Sequence, residues 1–175
     1  MKRSLITVAT TCVFSLMTFG ANANLIVNSS FEDTVGSVVY PVGTGKPGPG
    51  AFFVYTSVTG WSAVPSQSTT VPFELQNNIS GIGPAKDGDL HLELDALTNS
   101  RVRQTVSTVA GQTYEFSFWY SPRPAVEQDS NAVAVFWDGG LLDTVFETGI
   151  GITGTIWTLQ TYQVIASGTS TDIDF

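Results

Sequence analysis

The sequence predicts an all-β sandwich domain. Three observations point there: segments alternating apolar and polar residues with period two, turn-forming residues at short regular intervals between them, and no amphipathic helical stretch of convincing length. The strongest of these segments is GQTYEFSFWY, where Tyr114, Phe116, Phe118 and Tyr120 fall on one side and Glu115, Ser117 and Trp119 on the other. An irregular loop, SPRPAVEQDS, separates it from a second aromatic strand, NAVAVFWDG.

Taken in order, Leu25 to Phe31 reads as a first strand and Ser37 to Tyr40 as a short second one. The Gly/Pro-rich VGTGKPGPG (Val42 to Gly50) then makes a surface connection. Further strands are expected at Ala51 to Ser57, Thr70 to Gln76, Leu90 to Leu94 and Arg101 to Thr108. Thr113 to Tyr120, Ala132 to Trp137, Leu141 to Phe146 and Trp157 to Ala166 complete the set. About ten short strands at this spacing imply a sandwich or a barrel. Trp61, Trp137 and Trp157 are assigned to the core or to strand ends, with Trp137 inward on the side of Val133 and Val135.

The opening MKRSLITVATTCVFSLMTFGANA has two basic residues, an apolar run from Leu5 to Phe19, and Ala21-Asn22-Ala23. This is the layout of a cleavable secretory signal over residues 1–23. The apolar run is shorter than the roughly 20 residues a membrane span needs, so no membrane insertion of the mature chain is expected. Residues 24–175 then form a single domain of 152 residues, long enough for a proper core. The mature chain carries five basic residues against fifteen acidic, a net of −10, which disfavours nucleic acid and anionic lipid as partners. The sole cysteine, Cys12, lies in the signal, so the exported domain is expected to hold itself together without disulfides.

The clearest alternation is Asp89-Leu90-His91-Leu92-Glu93-Leu94-Asp95, with three leucines on one face and four polar groups on the other. Thr70 to Gln76 behaves similarly, opposing Val71, Phe73 and Leu75 to Glu74 and Gln76. If these polar faces share a sheet with Trp119, they assemble carboxylates, an imidazole, amides and an indole on one surface. Sugars are recognised by that combination: a ring stacks its C–H face on an aromatic while planar polar groups bond its hydroxyls. The competing reading is an ordinary solvated face.

The runs NLIVNSSFE (Asn24 to Glu32), Gly60-Trp61, FELQ (Phe73 to Gln76), DGDLHLELD, VRQTVSTVAGQTYEFSFWYSPRP and NAVAVFWDG together resemble bacterial extracellular domains of the galactose-binding-like superfamily. More closely, the chain is similar to secreted domains of unknown function in proteins with PEP-CTERM or similar surface-anchor tails. It is broadly similar to jelly-roll carbohydrate-binding modules. The resemblance implies a jelly-roll β-sandwich whose first strand pairs near the C-terminal one. It also implies a structural calcium ion where the ends meet, with Glu32 as a metal ligand. The family pattern ends on a closing strand that this sequence, stopping at Thr171-Asp172-Ile173-Asp174-Phe175, does not match. The closing strand is therefore expected to be missing and the chain to be a fragment.

No enzyme is expected. His91 is the only histidine, no nucleophile elbow accompanies it, and Glu93 and Asp95 on one exposed strand do not by themselves make a catalytic pair. Arg123, between Pro122 and Pro124, either locks its loop by a fork to Asp129 or another carboxylate, or reaches a ligand. Asn131 either caps the turn into the next strand or contacts ligand. Two functional classes remain. One is a non-catalytic carbohydrate-binding or adhesion module of a secreted or surface-attached bacterial protein, with Trp119, His91, Glu93, Arg123 and Asn131 as ligand-binding candidates. The other is a structural or protein-interaction domain of the cell envelope or biofilm matrix with no glycan ligand.

Overall fold

A computed structural model describes residues 24–34, 38–40, 46–64, 73–94 and 99–175. The signal segment, Asp95 and the first part of the Thr70 to Gln76 strand lie outside the described residues. In chain order the strands are β1 (Val38–Tyr40), β2 (Ala51–Tyr55), β3 (Ser62–Ala63), β4 (Phe73–Asn77), β5 (His91–Glu93) and β6 (Val102–Ser107). They continue as β7 (Thr113–Tyr120), β8 (Val133–Trp137), β9 (Gly140–Val145), β10 (Thr158–Ile165) and β11 (Ser170–Asp174). The described residues contain no α-helix, only a 3₁₀ turn at Gln128–Ser130. No helix among them is long and apolar enough to cross a membrane.

The fold is an all-β sandwich built from antiparallel sheets. A five-stranded sheet has the order β3-β6-β11-β8-β9, and a four-stranded sheet has the order β1-β2-β4-β5, while β10 and β7 form a ribbon. The ribbon pairs regularly over all eight residues, from Thr158 opposite Tyr120 to Ile165 opposite Thr113. Along β6 the alternation buries Val102, Gln104 and Val106, which face the other layer. Val102 joins a core cluster with Tyr55, Phe73, Leu75 and Trp61 under the four-stranded sheet. Val106 joins a second cluster with Val135, Ile173, Phe116, Tyr120 and Val164 under the ribbon. The five-stranded sheet thus supports both smaller sheets on one apolar face.

Two apolar side chains, Ile26 and Phe175, pack against both clusters. The Phe175 ring lies 6.2 Å from Trp61 in one cluster, and 6.1 Å from Phe116 and 4.9 Å from Phe118 in the other. Its backbone exchanges two hydrogen bonds with Val102. Phe175 is held there because β11 lies between β6 and β8 at the centre of the sheet. On the opposite face of that sheet, Asp174 is fully buried and accepts hydrogen bonds from Arg101 at 2.6 Å and from both Nε and Nη2 of Arg103. Burial pushes the Asp174 carboxyl up, but the bonds from Arg103 and Arg101 outweigh it and leave the group below its ordinary value.

Two sequence expectations change. Residues 170–174, where no strand was expected, form β11, the central strand of the larger sheet. The segment is short and carries two aspartates, which Arg101 and Arg103 neutralise in the fold. Leu25 to Phe31, read as a strand, is instead an irregular segment with a turn. Asn28 and Phe31 adopt φ of 52° and 61°, and the Asn28 side chain donates to the carbonyls of Asp33 and Thr59. A side-chain amide that bonds nearby backbone competes with the ladder pattern of a strand. Apart from the two-residue β3, for which no strand was expected, the remaining strands fall within a few residues of their predicted positions, and Trp61 and Trp137 turn toward the core.

Phe175→Ala removes the ring that joins the two clusters. A loss of about 2 kcal/mol is expected, below the usual cost for a fully enclosed phenylalanine because Phe175 is partly exposed. Urea denaturation followed by tryptophan fluorescence measures it.

Candidate functional site

A cleft of about 1150 Å³ opens beside β5 and β7. Within their sheets β5 pairs only with β4, and β7 only with β10, so each has one side without a described strand partner. Both strands contribute inward and outward residues to the cleft. Leu92 and Leu94 from the β5 segment, Phe116 and Phe118 from β7, and Phe175 supply apolar lining. His91, Glu93, Trp119, Arg123 and Trp157 supply its polar and aromatic groups. An apolar depression with a few convergent polar groups is the general form of a small-molecule site.

Each group is positioned by the alternation of its strand. Trp119 lies on the outer side of β7 and is 43% exposed, whereas Phe116 and Tyr120 are buried. The ammonium of Lys86 sits 4.0 Å from the centroid of the Trp119 ring, so one part of the indole is covered by a cation. Trp157 immediately precedes β10. Its Nε1–H donates to the Pro84 carbonyl at 3.2 Å, and the Thr155 hydroxyl donates to the same oxygen at 2.8 Å. These bonds dock the connection before β10 against the connection before β5. The Trp157 ring then meets His91 edge-on, with centroids 5.6 Å apart and planes at 74°.

Arg123 Nη1 donates to Glu93 Oε2 at 3.3 Å, tying the loop after β7 to β5. Arg123 thus contacts a carboxylate through a single bond, and that carboxylate is Glu93. Asn131 is buried, and its side chain is engaged inside the loop. Its Oδ1 accepts from Arg123 N at 2.8 Å, its Nδ2 donates to the Val126 carbonyl at 3.1 Å, and its own carbonyl accepts the Tyr120 hydroxyl at 2.7 Å. Asn131 therefore shapes the loop that presents Arg123.

The polar face of β4 departs from expectation. Glu74 and Gln76, read as lying on a face open to solvent or ligand, are 8% and 1% exposed. The register sets Glu74 opposite Glu93 and Gln76 opposite His91, so all four side chains share one sheet face. Gln76 Nε2 donates to Glu74 at 2.7 Å. Gln76 Oε1 and His91 Nδ1 are buried without a hydrogen-bond partner among the described residues. Burial pulls the His91 imidazole down to about 4, so it is neutral near pH 7. Polar alternation reports which residues share a face; it does not report whether solvent reaches that face.

Glu32, the expected metal ligand, lies in the irregular first segment. Its Oε1 accepts from the backbone amides of Asp89 at 2.7 Å and Leu90 at 2.8 Å, and its Oε2 pairs with the Lys46 ammonium. Lys46 also donates to Asp89 at 2.9 Å. Burial raises the Glu32 carboxyl, and the bonds from Lys46, Leu90 and Asp89 more than reverse this, leaving it lowered. Gly88, with φ of 67°, lets the turn pass close beneath this carboxylate, and any Cβ there would collide with it. No group of three or more His, Cys, Asp or Glu side chains suited to a metal is found among the described residues. As arranged, these side chains do not fit a calcium ion, because the ammonium already lies between the two carboxylates.

Sequence reasoning placed Trp119, His91, Glu93 and Arg123, and the structure brings all four to the cleft. It overlooked Lys86; Trp157 does sit at a strand end, as expected, but its place in the cleft was not foreseen. A signal for Trp157 was present, since it has the same parity as the exposed Leu159. Lys86 has none, because its position over Trp119 depends on a contact between a loop and the distant strand β7. No protein-family model matches the chain, and no curated protein matches it.

Two outcomes are expected from these contacts. The unfolded chain protonates His91 near its ordinary value of 6.5, whereas the folded chain resists protonation down to about 4. Stability therefore falls as pH drops from 6.5 toward 4, and His91→Phe flattens melting temperature across that window. The carboxylates Glu32 and Asp174, with lowered values, account for losses at still lower pH. Gly88→Ala is expected to cost about 1–3 kcal/mol through the crowded Glu32 carboxylate and the left-handed backbone, measured by thermal denaturation.

Proposed function

We propose that this chain is a non-catalytic carbohydrate-binding or adhesion module of a bacterial secreted or surface protein, with jelly-roll topology. The observation that carries the reading is Trp119, a large indole 43% exposed on the outer side of β7 and set in the same cleft as Glu93, Arg123, His91 and Trp157. An exposed indole costs solvation and gains from stacking the C–H face of a sugar. The paired guanidinium and carboxylate offer planar donors and acceptors to hydroxyls around it. His91, neutral near pH 7, takes part as a polar ring rather than as a charge. Export through the signal at residues 1–23 would put the module among extracellular and envelope glycans.

The test is a glycan array followed by titration of intrinsic tryptophan fluorescence. Trp119→Ala is expected to weaken binding at least about tenfold, the loss of one stacking contact of about 1.4 kcal/mol, with the melting temperature unchanged. A silent array together with tight binding to an envelope or matrix protein would favour the interaction-domain reading instead.

We infer that Lys46 provides at Glu32 the positive charge that a structural calcium ion would otherwise supply. Melting temperature is expected to be insensitive to EDTA and to fall in Lys46→Ala. A calcium-dependent rise in the wild type would instead place the ion at Glu32, with Lys46 displaced.

A further inference from the structure

The sheets end on several strands, and most of them are poor templates for another chain. β1 has three residues and an irregular register, and β3 has two residues. β9 carries a register irregularity opposite Val135/Phe136 and the charged Asp143. β5 and β7 border the cleft. β10 differs from all of these. Its sequence TLQTYQVI has eight residues, no charge, no proline and no glycine, and it pairs with β7 without a bulge. No described strand lies along its other side. Proteins usually blunt such an edge with lysine, proline, a bulge or short length, and β10 has none of these devices.

The hydrogen-bond pattern identifies the groups on that free side. Ala166, just past β10, gives its N–H to Gln112 and accepts from Gly111, so both its backbone groups face the β7 side. Alternation in an antiparallel ladder then turns the even-numbered residues of β10 toward β7 and the odd-numbered ones outward. The outward carbonyl of Ile165 is capped by Trp137 Nε1 at 3.0 Å. Leu159, Thr161 and Gln163 remain as an unbroken outward row, and all three side chains are exposed.

We propose that β10 is a self-association edge, pairing antiparallel with β10 of a second copy of this chain through Leu159, Thr161 and Gln163. A twofold axis at Thr161 sets Thr161 against Thr161 and Leu159 against Gln163 of the partner. Each of those residues then exchanges the backbone bonds it leaves open in one copy. The strand suits its own copy because it is uncharged: in a chain of net charge −8, an edge free of carboxylates is where two copies approach with least repulsion. Two carboxylates of neighbouring strands touch β10, and both are engaged: Asp143 of β9 accepts the Tyr162 hydroxyl at 2.8 Å, and Glu115 of β7 accepts from Gln163 Nε2 at 3.5 Å. The contact is a ladder of few residues and buries little side-chain area, so the dimer is weak and concentration-dependent. The inference is independent of the glycan reading.

Sedimentation velocity over a dilution series tests it, with amide hydrogen exchange in parallel. A reversible dimer is expected that tightens as salt screens the net charge. Thr161→Lys sets two ammonium groups against each other on the axis, and is expected to weaken association at least about tenfold, the equivalent of about 1.4 kcal/mol. Thr161→Val, which keeps the backbone edge, leaves the dimer intact. In the wild type the amides of Leu159, Thr161 and Gln163 gain protection as concentration rises. A wild type that stays monomeric throughout, a dimer that Thr161→Lys leaves intact, or concentration-independent exchange at these three amides overturns the proposal.

Discussion

The fold depends on how residues 172–175 are held. β11 carries two aspartates into the middle of a five-stranded sheet, and an unpaired buried carboxylate there would be prohibitively costly. Arg101 and Arg103 reach over it on the outer face, with Arg103 bonding both Asp172 and Asp174. Arg101 in turn lies 3.8 Å over the Phe136 ring of β8. These contacts fix β11 between β6 and β8, and that position swings the Phe175 ring into the interior, where both core clusters need it. The ionic network and the apolar junction lie on opposite faces of one short strand, which makes them a single constraint.

The cleft follows from that arrangement. One five-stranded sheet faces two smaller sheets, and the cleft opens beside β5 and β7, the end strands of those two smaller sheets. The strands are joined there by side chains instead: Arg123 to Glu93, and His91 against Trp157. Where a backbone ladder would have consumed these groups' surroundings, side-chain contacts leave an apolar floor and a polar rim. The proline-flanked loop after β7 is ordered from within by Asn131, which frees the guanidinium of Arg123 to point across to β5. The shape of the cleft and the architecture are thus linked through the same few contacts.

Much of this was legible in the residues themselves. Period-two patterning located β7 to the residue and nearly all other strands closely, because a strand with one apolar face writes its alternation directly into the chain. It also sorted Trp119 outward and Trp137 inward. Alternation failed where a local interaction overrides it: the Asn28 amide bends the first segment into a turn, and Lys46 and the Asp89 and Leu90 amides hold Glu32 in a coil. It also could not separate a polar face that is wet from one that is buried, as at Glu74 and Gln76.

The sequence by itself determined the fold class, most strand positions and the faces of Trp119 and Trp137, since those follow from backbone geometry repeated every two residues. Only the tertiary structure decided that Ser170–Asp174 is a central strand, that Arg123 pairs with Glu93, and that Lys86 covers part of Trp119. It alone also decided that no described strand lies along the outer side of β10. Each of these depends on contacts between segments many residues apart. Such contacts are selected by the packing of whole sheets and by the neutralisation of buried charge, and neither leaves a local pattern to read.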